Sequence, residues 1–177
     1  MSTISPAEVA FLGHAFLTPD SKSLAQIAED LGLSSFREML DNRGVELEIE
    51  YNRLFLNPLG SLCPLWQSAY CDEPHLMGEA HLSALGWYRR YDVEPARLND
   101  PADHVGLLLL FYARLLELEA DGSILDRFWE EHLMWIVRFC ESVRSESKDP
   151  FYSAVALRAA QLMPARTLST CTEECAG

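Results

Sequence analysis

Residues 101–120 form the most apolar long segment of the chain, and this segment limits the folds that the chain can adopt. The part from Val105 to Ala113 contains no charged residue. A helix that is hydrophobic around its whole circumference must be surrounded by other elements of the protein. The apolar run is only about half as long as a membrane-spanning helix. We therefore predict a helix that opens at Pro101 and lies at the centre of a helical bundle.

The rest of the chain also shows helical periodicity. Leu47, Tyr51, Leu54 and Phe55 recur at the spacing of one helical face, which predicts a helix over residues 45–56. Similar patterns predict helices over about residues 5–16, 23–31, 36–40, 76–91, 124–145 and 150–163. No credible pair of strands occurs. The prediction is an all-α, single-domain bundle of about eight to ten helices.

A polar segment divides the predicted helices into two groups. Residues 92–100 contain Pro95, Asn99 and several charges, which is typical of a connection. We predict a hinge there, between an N-terminal half over residues 1–92 and a C-terminal half over residues 101–165. The tail over residues 166–177 is polar and is expected to fray.

The start of the apolar helix has the residues of a well-formed helix N-terminus. Asp100 is predicted as the N-cap, Pro101 as the first helical residue, and Asp103 lies where a negative charge meets the helix dipole favourably. His104 is left unexplained, because a histidine is unfavourable near the positive end of a helix. A histidine at this position needs another group to hold it there.

The chain is strongly acidic, with a formal net charge of −13 at pH 7 over 177 residues. Nucleic-acid binding depends mainly on Lys and Arg that displace counterions from phosphates. Residues 23–34 resemble the start of a helix-turn-helix, but the next helix offers Arg37 as its single cation, beside Glu38 and Asp41. We predict no nucleic-acid partner. The charge favours a basic partner or solubility.

The N-terminal residues and the cysteines bear on the compartment of the protein and on its cofactors. Residues 1–17 hold Glu8 and neither Lys nor Arg, unlike the basic start of a secretory leader. The 5 cysteines include no CxxC pair. Cys171 and Cys175 are one helical turn apart, but no second pair nearby would complete a zinc site. We expect a cytoplasmic protein with no metal, no cofactor and no membrane insertion.

The sequence has no recognisable catalytic motif. It lacks the GxSxG elbow, the Walker loop, the GxGxxG turn and the HExxH zinc motif. None of its 5 histidines follows a glutamate at the spacing that helical di-iron sites use. We predict that the protein is not an enzyme.

Three short motifs follow one another at residues 51–58, 64–70 and 101–104, and simple packing does not explain them fully. They comprise Tyr51, Leu54, Phe55 and Pro58; Pro64, Trp66, Ser68 and Tyr70; and Pro101, Asp103 and His104. In these motifs the chain resembles the TorD/DmsD/NarJ-type redox enzyme maturation chaperones, over about residues 45–116. The family's second motif reads like Pro-Pro-x-Glu-Ser-x-Tyr, from which Leu65 and Gln67 depart.

The resemblance implies a function and a set of binding residues. It implies an all-helical cytoplasmic chaperone that binds the twin-arginine signal peptide, the apo-form of a molybdoenzyme, or both, until the cofactor is inserted. The residues of the three motifs are then the signal-peptide-binding residues. Tyr51, Leu54, Phe55 and Trp66 are expected to line an apolar groove, with Asp103 and His104 on its polar rim. Gln67 lacks the negative charge of the family's glutamate.

Several alternatives remain open from the sequence. The protein is a monomer or a domain-swapped dimer. A general helical interaction domain is the second interpretation, and a helix-turn-helix regulator is the third. The family is also linked to weak binding of guanine nucleotides, but no phosphate-binding loop supports that activity here.

Overall fold

The apolar segment forms a helix at the centre of the protein, as predicted. The computed structural model describes residues 5–94 and 100–162. Within these ranges the helices are α1 (Pro6–Leu17), α2 (Ser21–Asp30), α3 (Ser34–Leu40), α4 (Gly44–Phe55), α5 (Glu79–Arg90), α6 (Val105–Glu117), α7 (Gly122–His132), α8 (Ile136–Glu146) and α9 (Pro150–Leu162), with a short 3-10 helix at Gln67–Tyr70. The described residues contain no strand beyond one isolated bridge. The all-α prediction is confirmed.

The most extensive packing between helices joins α1 to α6. The two helices approach closely at Gly13 and Gly106, and a Cβ added at Gly106 would lie 2.7 Å from the carbonyl oxygen of Gly13. Such a separation leaves no room for a side chain on either helix at this point. The pair of glycines therefore sets the distance between the central helix and its main neighbour.

Aromatic rings fill the space between α1, α4, α8 and α9. The rings of Phe16 and Phe139 lie 5.0 Å apart, and those of Phe55 and Tyr152 lie 5.5 Å apart. Both pairs meet edge to face, which is a favoured geometry for aromatic rings. Helices from the two ends of the chain thus share one core.

The prediction of one helix over residues 124–145 is wrong. The chain forms α7 and α8, separated by a turn at residues 133–135. Leu133 is fully buried, and the indole N–H of Trp135 donates a hydrogen bond of 2.8 Å to the carbonyl oxygen of His132. The turn satisfies a carbonyl that the end of α7 leaves free. It contains neither proline nor glycine, so the sequence carries no local signal for it.

The helix predicted over residues 76–91 begins later, at Glu79. Met77 has a φ of 58°, in the left-handed region, and its side chain is 51% exposed. A residue in that conformation cannot continue a right-handed helix. Residues 95–99 of the predicted hinge, Cys171, Cys175 and the predicted tail lie outside the described residues. The division into two halves stays a prediction.

No helix within the described ranges is long and apolar enough to cross a membrane.

Candidate functional site

The second and third motifs meet in an antiparallel bridge between Trp66 and His104. The backbone N–H of Gln67 donates to the carbonyl oxygen of Asp103 over 3.0 Å, and that of Val105 donates to the carbonyl oxygen of Leu65 over 2.7 Å. The bridge joins the segment before the 3-10 helix to the segment before α6. Two motifs that are far apart in the sequence therefore form one structural unit.

The bridge also determines where α6 begins. His104 has extended backbone angles, φ −66° and ψ 132°, and its Nδ1 accepts a hydrogen bond of 3.0 Å from the backbone N–H of Gly106. His104 is therefore the N-cap of α6. The prediction that Asp100 caps this helix and that Pro101 opens it is wrong. Residues that are held in a bridge must stay extended, so the helix cannot start before Val105.

Asp103 is fully buried, and the expectation that it lies on an exposed rim is wrong. One carboxylate oxygen, Oδ2, accepts a hydrogen bond of 2.9 Å from the backbone N–H of Ser68. The other oxygen, Oδ1, and the hydroxyl of Ser68 have no hydrogen-bond partner among the described residues. His104 is only 6% exposed. Asp103 thus fastens the third motif to the second from inside the protein.

The first motif lies on the inner face of α4. Leu54 and Phe55 are buried in the core, and the hydroxyl of Tyr51 donates a hydrogen bond of 2.9 Å to the carbonyl oxygen of Phe16. These three residues do not line an open groove in this structure, contrary to expectation. The helical periodicity identified this buried face correctly, but it could not separate a core face from a groove.

The first motif is nevertheless connected to the second. The backbone N–H of Cys63 donates to the carbonyl oxygen of Leu54 over 3.0 Å. The ring of Phe139 lies 6.2 Å from that of Phe55 and 6.4 Å from that of Tyr70. All three motifs therefore belong to one continuous region of the fold.

The motif residues differ in their access to solvent. Pro58 is exposed, and the partly exposed members are Pro64, Trp66, Tyr70 and Pro101. These are the members that a partner can reach without a rearrangement of the core. Their role in binding a peptide stays a prediction.

A partly buried polar network lies next to this region, and the sequence interpretation missed it. The side-chain amide of Gln67 donates to the carbonyl oxygen of Glu131 over 2.7 Å, and its Oε1 lies 2.9 Å from Nδ1 of His132. The other ring nitrogen, Nε2, lies 3.1 Å from the hydroxyl of Ser83. These contacts join the 3-10 helix, α7 and α5. The only signal in the sequence was the Gln67 departure from the family motif.

Gln67 uses the donor and the acceptor of its amide at the same time. The amide N–H holds the backbone of α7, and the amide oxygen accepts from Nδ1–H of neutral His132. An ionised glutamate has no donor for the Glu131 carbonyl oxygen. The network thus gives a physical reason for glutamine at this position.

We expect Gln67→Glu to lower the free energy of unfolding at pH 7 by about 1–3 kcal/mol, because a carboxylate would face the carbonyl oxygen of Glu131 without a donor. The loss should shrink as the pH falls, since a protonated His132 can pair with the new carboxylate. Urea unfolding at several pH values measures both effects. The matched control is Gln161→Glu on the exposed side of α9. Equal stabilities for the two variants would contradict the assigned contacts.

Burial lowers the pKa of His132 from 6.5 to about 4, although Glu131 and Asp103 oppose this shift. The unfolded chain therefore binds more protons than the folded protein between these pH values. As the pH falls from 6.5 to about 4, we expect the protonation of His132 to lower the free energy of unfolding by about 3 kcal/mol. Above pH 6.5 this residue should have no effect on the free energy of unfolding. Urea denaturation from pH 7.5 to pH 4.5 should show the slope.

The His132→Gln variant should lose most of this pH dependence. The pKa of His14 is also lowered by burial, so His14→Gln measures the contribution of that residue separately. An unchanged slope in His132→Gln would show that His132 is not held neutral.

The fold and the joined motifs place the chain in a class of all-helical proteins. The crystal structure of a protein described as a redox enzyme maturation protein, from Archaeoglobus fulgidus, has the same fold. The TM-score is 0.73 at 22% identity, and the match covers 91% of this chain and 94% of that one. The chain belongs to the nitrate reductase delta subunit family, whose model matches residues 15–141.

Curated relatives of this chain carry chaperone names. The Tat proofreading chaperone DmsD of Salmonella typhimurium is 32% identical over 59% of this chain and 52% of its own length, and a DmsD of Haemophilus influenzae is 30% identical over 67% and 60%. The chaperone protein TorD of Aliivibrio fischeri is 29% identical over 82% and 73%. The chain spans about half to three fifths of the DmsD relatives. The resemblance to the TorD/DmsD/NarJ-type chaperones is confirmed.

Proposed function

We propose that this protein is a cytoplasmic chaperone that binds the twin-arginine signal peptide of a molybdoenzyme and holds the enzyme until its cofactor is inserted. Family membership and the names of the DmsD and TorD relatives support this proposal. Because those names describe chaperones, we further propose that the protein acts by binding and catalyses no reaction.

One observation carries the proposal. The second and third family motifs, at residues 64–70 and 101–104, are held together by the bridge and by the buried hydrogen bond from Ser68 to Asp103, for which the sequence separation is 35. Pro64, Trp66 and Pro101 remain partly exposed beside this junction. An apolar rim on a chain with a net charge of −13 suits a peptide that combines arginines with an apolar run.

Binding of a synthetic twin-arginine leader tests the proposal. We expect association to be slower at high salt, because exposed charges are screened within about 8 Å at physiological ionic strength. Dissociation should change less, since it depends on the apolar contact. Surface plasmon resonance at two salt concentrations measures both rates. A leader in which both arginines are glutamines is the control, and equal affinity for the two peptides would overturn the proposal.

Trp66→Ala should weaken leader binding about tenfold, as expected for an aromatic residue in an interface. Because Trp66 is partly buried and packs against the core, some loss of melting temperature is expected, and the affinity is measured on variants that circular dichroism shows to be folded. Leu118→Ala, at an exposed position after α6, is the control for the loss of a large apolar side chain.

A further inference from the structure

The helix that carries the first motif has a second apolar face, which points to solvent. On α4, Val45 is 68% exposed, Ile49 is 62% exposed, and Leu56, directly after the helix, is 53% exposed. The buried residues of the same helix, among them Leu47 and Leu54, lie on its other side. An exposed row of large aliphatic residues is uncommon on a helix that already buries a complete face.

The exposed aliphatic residues of α4 lie on one side of the helix, with the exposed Asn52 between Ile49 and Leu56. With 3.6 residues per turn, Val45, Ile49 and Leu56 lie within about 40° of one another around the axis and extend over about 16 Å. The chain then turns back, since the hydroxyl of Ser61 donates to the carbonyl oxygen of Leu54 over 3.2 Å. Two more exposed aliphatic residues, Leu59 at 97% and Leu62 at 41%, occur in this turn. We call the five aliphatic residues the outer stripe.

Acidic residues flank the outer stripe on both sides. Glu46 and Glu48 are exposed and project from α4 on opposite sides of the stripe, about 60–100° from Val45. Neither carboxylate forms an ion pair with a cation in the described part of the chain. An apolar row between free carboxylates is complementary to an apolar segment that carries Arg or Lys. A second copy of this acidic chain would instead bring like charges together.

We propose that the outer stripe binds the apolar run of a cationic leader peptide, with arginines of the peptide facing Glu46 and Glu48. This inference rests on the proposed function and names a surface other than the three family motifs. It extends the binding region along α4, from the loop at residues 56–63 to the start of the helix.

The opposite face of α4 is anchored independently of the outer stripe. Glu50 is 7% exposed, and its carboxylate accepts hydrogen bonds from Arg53 over 2.8 Å and from the backbone N–H of Lys148 over 2.7 Å. These contacts tie α4 to the connection between α8 and α9. Polar substitutions on the outer stripe should therefore leave the fold intact, so that binding can be measured on folded variants.

The test compares the affinity of the full-length variants for the synthetic twin-arginine leader. Val45→Ser and Ile49→Ser should each reduce the affinity about tenfold, because each removes aliphatic surface that the complex buries. The matched control, Leu82→Ser, removes a residue that is 64% exposed on α5 and should bind like wild type. Glu46→Gln together with Glu48→Gln should slow association, whereas Glu141→Gln on α8 should not. Circular dichroism verifies that every variant is folded.

The outcomes separate the two proposals. If wild type binds the leader and both serine variants bind equally well, the outer stripe is not the docking surface, and the chaperone function stands. If wild type does not bind any leader, both proposals fail. If sedimentation shows a dimer that Ile49→Ser dissociates, the stripe is an interface between copies of this chain, which also overturns the inference.

Discussion

Replacing Gly106 with alanine is expected to lower the free energy of unfolding by about 3 kcal/mol, in the upper part of the range for an added methyl group in a packed core. The new Cβ would lie 2.5 Å from Cγ of Leu17 and 2.7 Å from the carbonyl oxygen of Gly13. The leucine side chain can rotate away, but the Gly13 oxygen belongs to the backbone of α1. The clash with this oxygen is therefore relieved only if α1 and α6 separate. Their separation would lose contacts along the most extensive helix interface.

Urea unfolding of Gly106→Ala against wild type measures this loss. Gly86→Ala is the matched control, because no atom other than those of the adjacent residues and the backbone of its own helix lies within 4 Å of a Cβ added at that position of α5. We expect Gly86→Ala to raise the free energy of unfolding by about 0.5–1 kcal/mol, as alanine is the better helix former. A Gly106→Ala variant as stable as wild type would mean that the two helices are not held together at this crossing.

Replacing Asp103 with alanine should lower the free energy of unfolding by about 2–4 kcal/mol. The change leaves the buried N–H of Ser68 without its acceptor and creates a cavity beside the bridge. Asp103→Asn should cost less, because the amide oxygen can still accept that hydrogen bond. Asp72→Ala, at an exposed position, controls for the removal of one negative charge. Thermal unfolding of the three variants measures the order of stability.

The Asp103 variants also separate a structural role from direct peptide contact. A carboxylate that acts from inside the protein should reduce leader affinity only as far as the bridged segments lose their structure. In folded Asp103→Asn we therefore expect affinity close to that of wild type. A tenfold loss of affinity in that variant, with an unchanged melting temperature, would assign Asp103 a direct contact with the peptide. Equal stability of the alanine and asparagine variants would contradict the assigned hydrogen bond.

The sequence was informative about elements whose signal is local. The spacing of Leu47, Tyr51 and Leu54 predicted α4 and its buried face, and the uninterrupted apolar run predicted that α6 is central. The order of the three motifs identified the family. The sequence predicted neither the turn between α7 and α8 nor the start of α6. No residue at positions 133–135 or 102–104 breaks a helix by its own preference.

The sequence by itself determined the helical periodicity and the central position of the apolar segment, because each of these depends on residues within a few turns of one another. It also determined the family, from the order of three short motifs between residues 51 and 104. Only the tertiary structure decided the roles of Asp103, His104 and Gln67. Their contacts join residues that are 35 and 65 positions apart, at Ser68–Asp103 and Gln67–His132. Whether a polar side chain becomes a rim residue or a buried connector depends on which distant segment packs against it. Local patterns specify how each segment folds, and long-range packing selects its neighbour.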